Sequence, residues 1–262
     1  MMESDSTSPS GQSLGPTPDS ITTSPTTTGR SRVTPALAEV IICSGFLTQF
    51  VLALMLSGIG LQSVARDGQL SFVYIVTLSL VDAVFVVCLV LYFLRAQGES
   101  LGDLVAGVRP LGREAALGLI LIPFLVLIAI GGLLLIRAIA PWLQNVPDNP
   151  LESMLDTPAR AFLFGLVVVI AGGVREELQR AFILRRFEQH LGGGWLGLLV
   201  FSVVFGLGHS IQGWDAAVMT SVLGATWGTL YLVRRSIVAS MVSHAGFNLV
   251  EIILAVTAAQ TM

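Results

Sequence analysis

Apolar residues in this chain come in long unbroken runs. They do not form the 3.6-residue stripes of a soluble helix or the alternation of a half-buried strand. Seven such runs stand at about 38–62, 71–94, 115–136, 160–184, 195–213, 216–233 and 236–257. A helix needs roughly 20 apolar residues to cross a bilayer, so each run is read as a candidate span. The expected fold is all-α, a polytopic transmembrane helical bundle of about 7–8 spans.

The pattern changes before residue 36. Residues 1–35 are rich in Ser, Thr, Pro and Gly and nearly devoid of large apolar side chains. Such a segment cannot bury enough surface to offset its ordering entropy, so a disordered tail is expected there. It lacks the basic start and short apolar core of a cleaved signal peptide, so the first apolar run is expected to be retained. Between Pro141 and Pro158 the chain holds Pro147, Asp148, Asn149 and Pro150. That stretch reads as a linker between N-terminal transmembrane helices, 36–140, and a C-terminal group, 150–257. Gly192, Gly193 and Gly194 read as a tight turn between antiparallel helices.

Composition strengthens the membrane assignment. Apolar residues make up 53% of the 262 and charged ones 12%, against about 25% charged in soluble domains; mean hydropathy is +0.80. The net charge of −3 says little, but the placement of the basic residues, all of them Arg, says more. If the tail lies on one side, alternation of seven spans puts Arg30, Arg32, Arg95, Arg109, Arg113, Arg185, Arg186, Arg234 and Arg235 on that side. Arg66, Arg137 and Arg160 fall opposite. The positive-inside rule then makes the N-terminus cytoplasmic. Cys43 and Cys88 both sit inside apolar runs and read as buried thiols, not as a disulfide framework. No internal repeat is visible, which argues against a transporter built from repeated halves.

The fourth run carries the chemistry. Only 14 residues separate Arg160 from Arg175, about 21 Å of helix against a hydrocarbon core of about 30 Å. To cross, this helix must take Arg175, Glu176, Glu177 and Arg180 into or near the membrane, where ionisable groups need partners and mark function. Glu176 and Glu177 lie four and three residues before Arg180, so either carboxylate can meet that guanidinium. Glu176 and His209 are each about 16 residues from the centre of the glycine turn, so a helical hairpin places them at equal depth. Its tip, with Arg185, Arg186, Glu188 and His190, is expected to protrude into the cytoplasm. In the last run His244 and Asn248 are four apart and share a helix face, with Glu251 three further on.

Two carboxylates, two imidazoles and a carboxamide on facing helices suit a hydrolytic site. A desolvated carboxylate can act as a general base, and histidine or asparagine can hydrogen-bond a developing oxyanion. Glu176, His209 and His244 could instead ligate zinc, with water in the fourth position, although no HExxH motif is present. Asp82, inside the second run, is expected to bond a neighbouring helix instead of joining this chemistry.

These residues resemble the CAAX prenyl protease and bacteriocin-processing (CPBP, or Abi) family of intramembrane proteases. The resemblance covers roughly 150–257, with weaker likeness over 101–110. The family's FxxxH motif stands here as Phe205 to His209, and its HxxxN motif as His244 to Asn248. Its EExxxR motif departs, because Arg180 comes one position early after Glu176 and Glu177. Alignment on the glutamates makes Glu176 the base; alignment on Arg180 makes Glu176 the ion-pair partner and puts Arg175 at the base position. Hairpin symmetry favours the first.

The resemblance implies an intramembrane endopeptidase acting on a membrane-associated protein or peptide. Glu176 would activate water with help from His244, while His209 and Asn248 stabilise the oxyanion; Glu177 and Arg180 complete the set. The family has been described both as zinc metalloproteases and as metal-independent glutamate proteases. The two clear imidazole ligands favour no tightly bound metal. The expected partners are the substrate and the lipid bilayer, not nucleic acid, and the expected location is a bacterial plasma membrane. The alternative is a catalytically silent membrane scaffold or immunity-type protein of the same fold.

Overall fold

The computed structural model of the protein describes residues 32–65, 68–147 and 149–261. The tail expected over 1–35 lies outside the described residues as far as 31, and so does Asp148. Among the described residues the regular elements are helical, with one isolated bridge between Val64 and Leu70. The α-helices are α1 (Val33–Ile42), α2 (Phe46–Gly58), α3 (Phe72–Ala96), α4 (Leu101–Val105), α5 (Leu111–Ile139), α6 (Pro158–Val168), α7 (Glu177–His190), α8 (Gly194–Leu207), α9 (Trp214–Arg234) and α10 (Val238–Thr261). Pro35 falls in the first turn of α1, where a missing N–H costs nothing. A π-helical segment, Val169–Glu176, joins α6 to α7 without a loop.

The all-α expectation holds, but the span count is lower than seven or eight. Four described helices, α3, α5, α9 and α10, are long and apolar enough to cross a membrane, and α1 with α2 make a fifth if the bent pair counts as one. That pair bends by 43° at Gly45, whose φ of +84° a side chain would oppose. The expected span over 160–184 is divided instead among α6, the π segment and a charged α7. The expected span over 195–213 stops at Leu207, because Gly208 ends the helix and a 3₁₀ turn over Ser210–Gln212 follows.

α7 is the hub of the bundle. Its residues 177–184 are all buried, and Phe182 and Leu184 pack with Val86, Val90 and Leu94 of α3 and Phe201 of α8. A second core joins Leu125 and Ala129 of α5, Met219, Leu223 and Trp227 of α9, and Phe247 of α10. Polar residues on α7 thus sit where a soluble protein would place leucines, and each needs a partner.

The tip of the α7–α8 hairpin is covered more than its sequence suggests. Arg186 is 0% exposed and donates to Glu39 of α1 at 2.5 Å, to Glu99 at 2.6 Å and to Gln189 at 2.7 Å. Gln97 reaches the same Glu39 at 2.6 Å. Three acceptors within reach explain why a guanidinium expected to protrude is enclosed instead.

Candidate active site

The site begins with glycines. π-Helical turns recur at functional sites because the wider turn re-aims the residues that follow. Here the π segment lays Gly172 and Gly173 against α10. A Cβ on Gly173 would stand 2.7 Å from Ala245 Cβ and 3.2 Å from its Cα, and one on Gly172 would meet the Asn248 amide. On the far side, a Cβ on Gly118 of α5 would lie 2.7 Å from Val242 Cβ and 2.8 Å from the Ala239 carbonyl. α10 is therefore held at close range on two faces by small residues, as in membrane helix pairs. Gly173→Val is expected to push α10 off the π segment and lower any activity of the site by about 100-fold, the typical result of a 1 Å misplacement. The protein should remain folded, which thermal unfolding checks.

That close contact brings His244 between two adjacent glutamates. Glu177 Oε1 faces His244 Nδ1 at 2.7 Å and also receives Arg180. Glu176 Oε2 lies 3.8 Å from His244 Nε2, on the opposite edge of the ring. Glu177 is 1% exposed, whereas the Glu176 side chain is 17% exposed. A carboxylate paired with Arg180 can only accept, so His244 Nδ1 carries the proton, and the neutral ring presents its Nε2 lone pair toward Glu176. The face of His244 stacks on Trp227 at 3.7 Å between ring centres, 17° from parallel. Trp227 is fixed in turn by its Nε1 donating to Ser243 Oγ at 3.2 Å.

Arg180 is wholly buried, and its Nε and Nη2 have no hydrogen-bond partner among the described residues. They are surrounded by aromatic faces instead. The guanidinium carbon lies 4.8 Å from the Phe205 ring centre, 5.3 Å from Phe201 and 5.7 Å from Trp227. Such a cation–π enclosure offsets part of the cost of burial, and the Glu177 carboxylate supplies the counter-charge.

His209 lies just beyond the end of α8, half-buried. Its Nδ1 is 2.8 Å from the Phe205 carbonyl oxygen, which fixes the proton on Nδ1; Nε2 donates only when the ring takes a second proton. The Phe205 ring is centred 4.8 Å from His209 and 6.3 Å from His244. Glu176, Glu177, Arg180 and His244 are thus gathered within 4 Å steps. Asn248 joins them across Gly172, where a Cβ would also lie 3.8 Å from His244 Nε2. His209 is connected through the Phe205 ring, not by a hydrogen bond. Glu251 is exposed on α10.

Sequence reasoning passed over Trp227, whereas the bond to a neighbouring helix expected of Asp82 is present. Trp227 is the one tryptophan placed mid-helix instead of near a span end, and that was its signal. Asp82, 1% exposed, accepts from Gln49 Nε2 at 3.2 Å and from Thr48 and Arg175. Arg175 has no acid three or four residues away on its own helix, so its partner had to come from another; the acid stranded mid-span was Asp82.

The three candidate zinc ligands do not gather as ligands would. Among the described residues, no group of three or more His, Cys, Asp or Glu side chains is arranged to hold a metal ion. Both His244 nitrogens face carboxylates, and His209 Nδ1 is committed to a carbonyl. Those donors do not fit a tetrahedral three-ligand site, and no step below passes through a metal.

Residues 158–250 match the family model described as type II CAAX prenyl endopeptidase Rce1-like. That range takes in α6 through most of α10 and every residue of the cluster around His244. No curated protein and no solved structure matches the chain.

Proposed function

We propose that the chain is an intramembrane endopeptidase, on the premise of the match of residues 158–250 to the type II CAAX prenyl endopeptidase Rce1-like family model. Its substrate is a membrane-associated protein or peptide whose scissile bond reaches the helices from the lipid or its interface. The observation that carries this reading is the pair of glutamates on opposite edges of one imidazole.

The pair divides the work. Glu177, held by Arg180, fixes the tautomer and orientation of His244. Glu176, half-buried and not hydrogen-bonded to any described side chain, takes a proton from water as that water attacks the carbonyl carbon. His244 Nε2 faces the same space and relays that proton toward the leaving amine. Asn248 Nδ2 donates to the developing oxyanion, and His209 does so from Nε2 in its doubly protonated form. Each added donor strengthens as charge develops, which is what lowers the barrier.

The orientation proposed is N-terminus cytoplasmic in a bacterial plasma membrane. Arg109, Arg185, Arg186, Arg234 and Arg235 are tied together at one end of the bundle through Glu99, Glu114, Glu188 and backbone oxygens. Arg137 pairs with Asp215 and Arg160 with Asp156 at the other. This supports an arginine-rich cytoplasmic face.

The test is cleavage of a panel of membrane-anchored peptides, prenylated and not, by the purified full-length protein in lipid. At least one peptide is expected to be cleaved, and cleavage to survive dialysis against a chelator. A folded protein that cleaves none would favour the silent scaffold. Activity lost to the chelator and restored by zinc would overturn the metal-free mechanism alone.

A further inference from the structure

Helices outside the family-matched range reach into the site. Arg175, the residue before the glutamate pair, is 6% exposed, and its Nε has no partner among the described residues. A guanidinium so enclosed requires an anion. Two are available. Its Nη2 is paired with Asp82 of α3, whereas its Nη1 stops 3.8 Å from Glu176 Oε1, beyond hydrogen-bond range.

The side that wins is built for the purpose. Asp82 also accepts from Thr48 and Gln49, both on α2, so with Arg175 three donors converge on one buried carboxylate. The bend between α1 and α2 makes room for the guanidinium. A Cβ on Gly45 would stand 2.5 Å from Arg175 Nη2 and 3.3 Å from Gln179 Nε2. The same bend frees the Cys43 carbonyl, which accepts from Gln179 of α7 at 2.7 Å. Asp82, Arg175, Glu176, His244, Glu177 and Arg180 thus form a continuous polar chain, with the His244 ring between the two glutamates. Glu176 is the one acid in it without a guanidinium in hydrogen-bond range.

We infer that Asp82 is a positioning residue: with Thr48 and Gln49 it holds Arg175 away from Glu176, leaving that carboxylate free to act on water. The inference rests on the role proposed for Glu176. Without the charge on Asp82, Arg175 has one anion left within reach. It turns onto Glu176, and a carboxylate in a close guanidinium pair is a poor base.

The test uses the full chain in lipid, with Asp82→Asn, Arg175→Gln and the double variant. Asp82→Asn is expected to lower kcat by about tenfold or more with KM within about twofold, the signature of a lost transition-state interaction. The double variant should recover to within about threefold of wild type, because no guanidinium remains to capture Glu176. A merely structural pair predicts the reverse, a double variant at least as impaired as Asp82→Asn, and that result would overturn the inference. A second arm needs no substrate: an experimental structure of Asp82→Asn should show Arg175 hydrogen-bonded to Glu176. Arg175 left in place there would also overturn it. This arm decides the matter even if the peptide panel yields no cleavage and the proposed activity fails.

Discussion

Glu177→Ala is expected to destabilise the protein by about 3–5 kcal/mol and to abolish cleavage, because breaking a buried ion pair strands its partner. The stranded group is Arg180, 0% exposed with Phe201, Phe205 and Trp227 around it. Aromatic faces supply about 2 kcal/mol for a well-desolvated cation, so they do not replace Glu177. His244 loses its Nδ1 acceptor at the same time and with it a fixed tautomer. Thermal unfolding in detergent measures the first effect. Adding Arg180→Met should restore part of the lost stability and none of the cleavage, since the apolar side chain removes the orphan charge without orienting His244.

Glu176→Gln is expected to do the opposite. The side chain is partly exposed and makes no close ion pair, so its charge contributes little to folding. Stability should stay within about 0.5 kcal/mol, as for substitutions away from packed or paired groups. Cleavage should fall by about 10²–10⁴-fold, the range a general base supplies. The contrast is the useful part. Two adjacent, chemically identical residues differ because one is enclosed with an arginine and the other is partly exposed beside Nε2. Equal loss of stability from both substitutions would contradict that division.

Much of this was legible in the sequence, and the reasons are specific. Long apolar runs gave the helices, because a bilayer imposes both length and composition. The interval of four between His244 and Asn248 placed that pair on one helix face, because 3.6 residues make a turn, whereas His209 falls past the end of α8. The division of the glutamates was legible only through hairpin symmetry, which favoured Glu176 as the base and left Glu177 to Arg180. Spacing allowed either carboxylate to reach Arg180, and the choice depended on a π segment whose register no local propensity announces. The span count went too high for a related reason: the runs over 160–184 and 195–213 are apolar enough to read as spans, yet the first is broken by the π turn and the second by Gly208. The enclosure of Arg186 depends on Glu39 and Glu99, residues 147 and 87 positions away. Long-range pairing of that kind leaves no periodic trace.

The central claim is that Glu176 activates a water molecule and does not itself attack the peptide. A single turnover in heavy-oxygen water, with enzyme in excess over the best-cleaved peptide of the panel, tests it most directly. Mass spectrometry then reads the new C-terminal carboxylate and the enzyme peptide that carries Glu176. Heavy oxygen in the product and none in Glu176 is the predicted result. Heavy oxygen in the Glu176 carboxylate would mean that it formed an anhydride with the substrate, and would contradict the account.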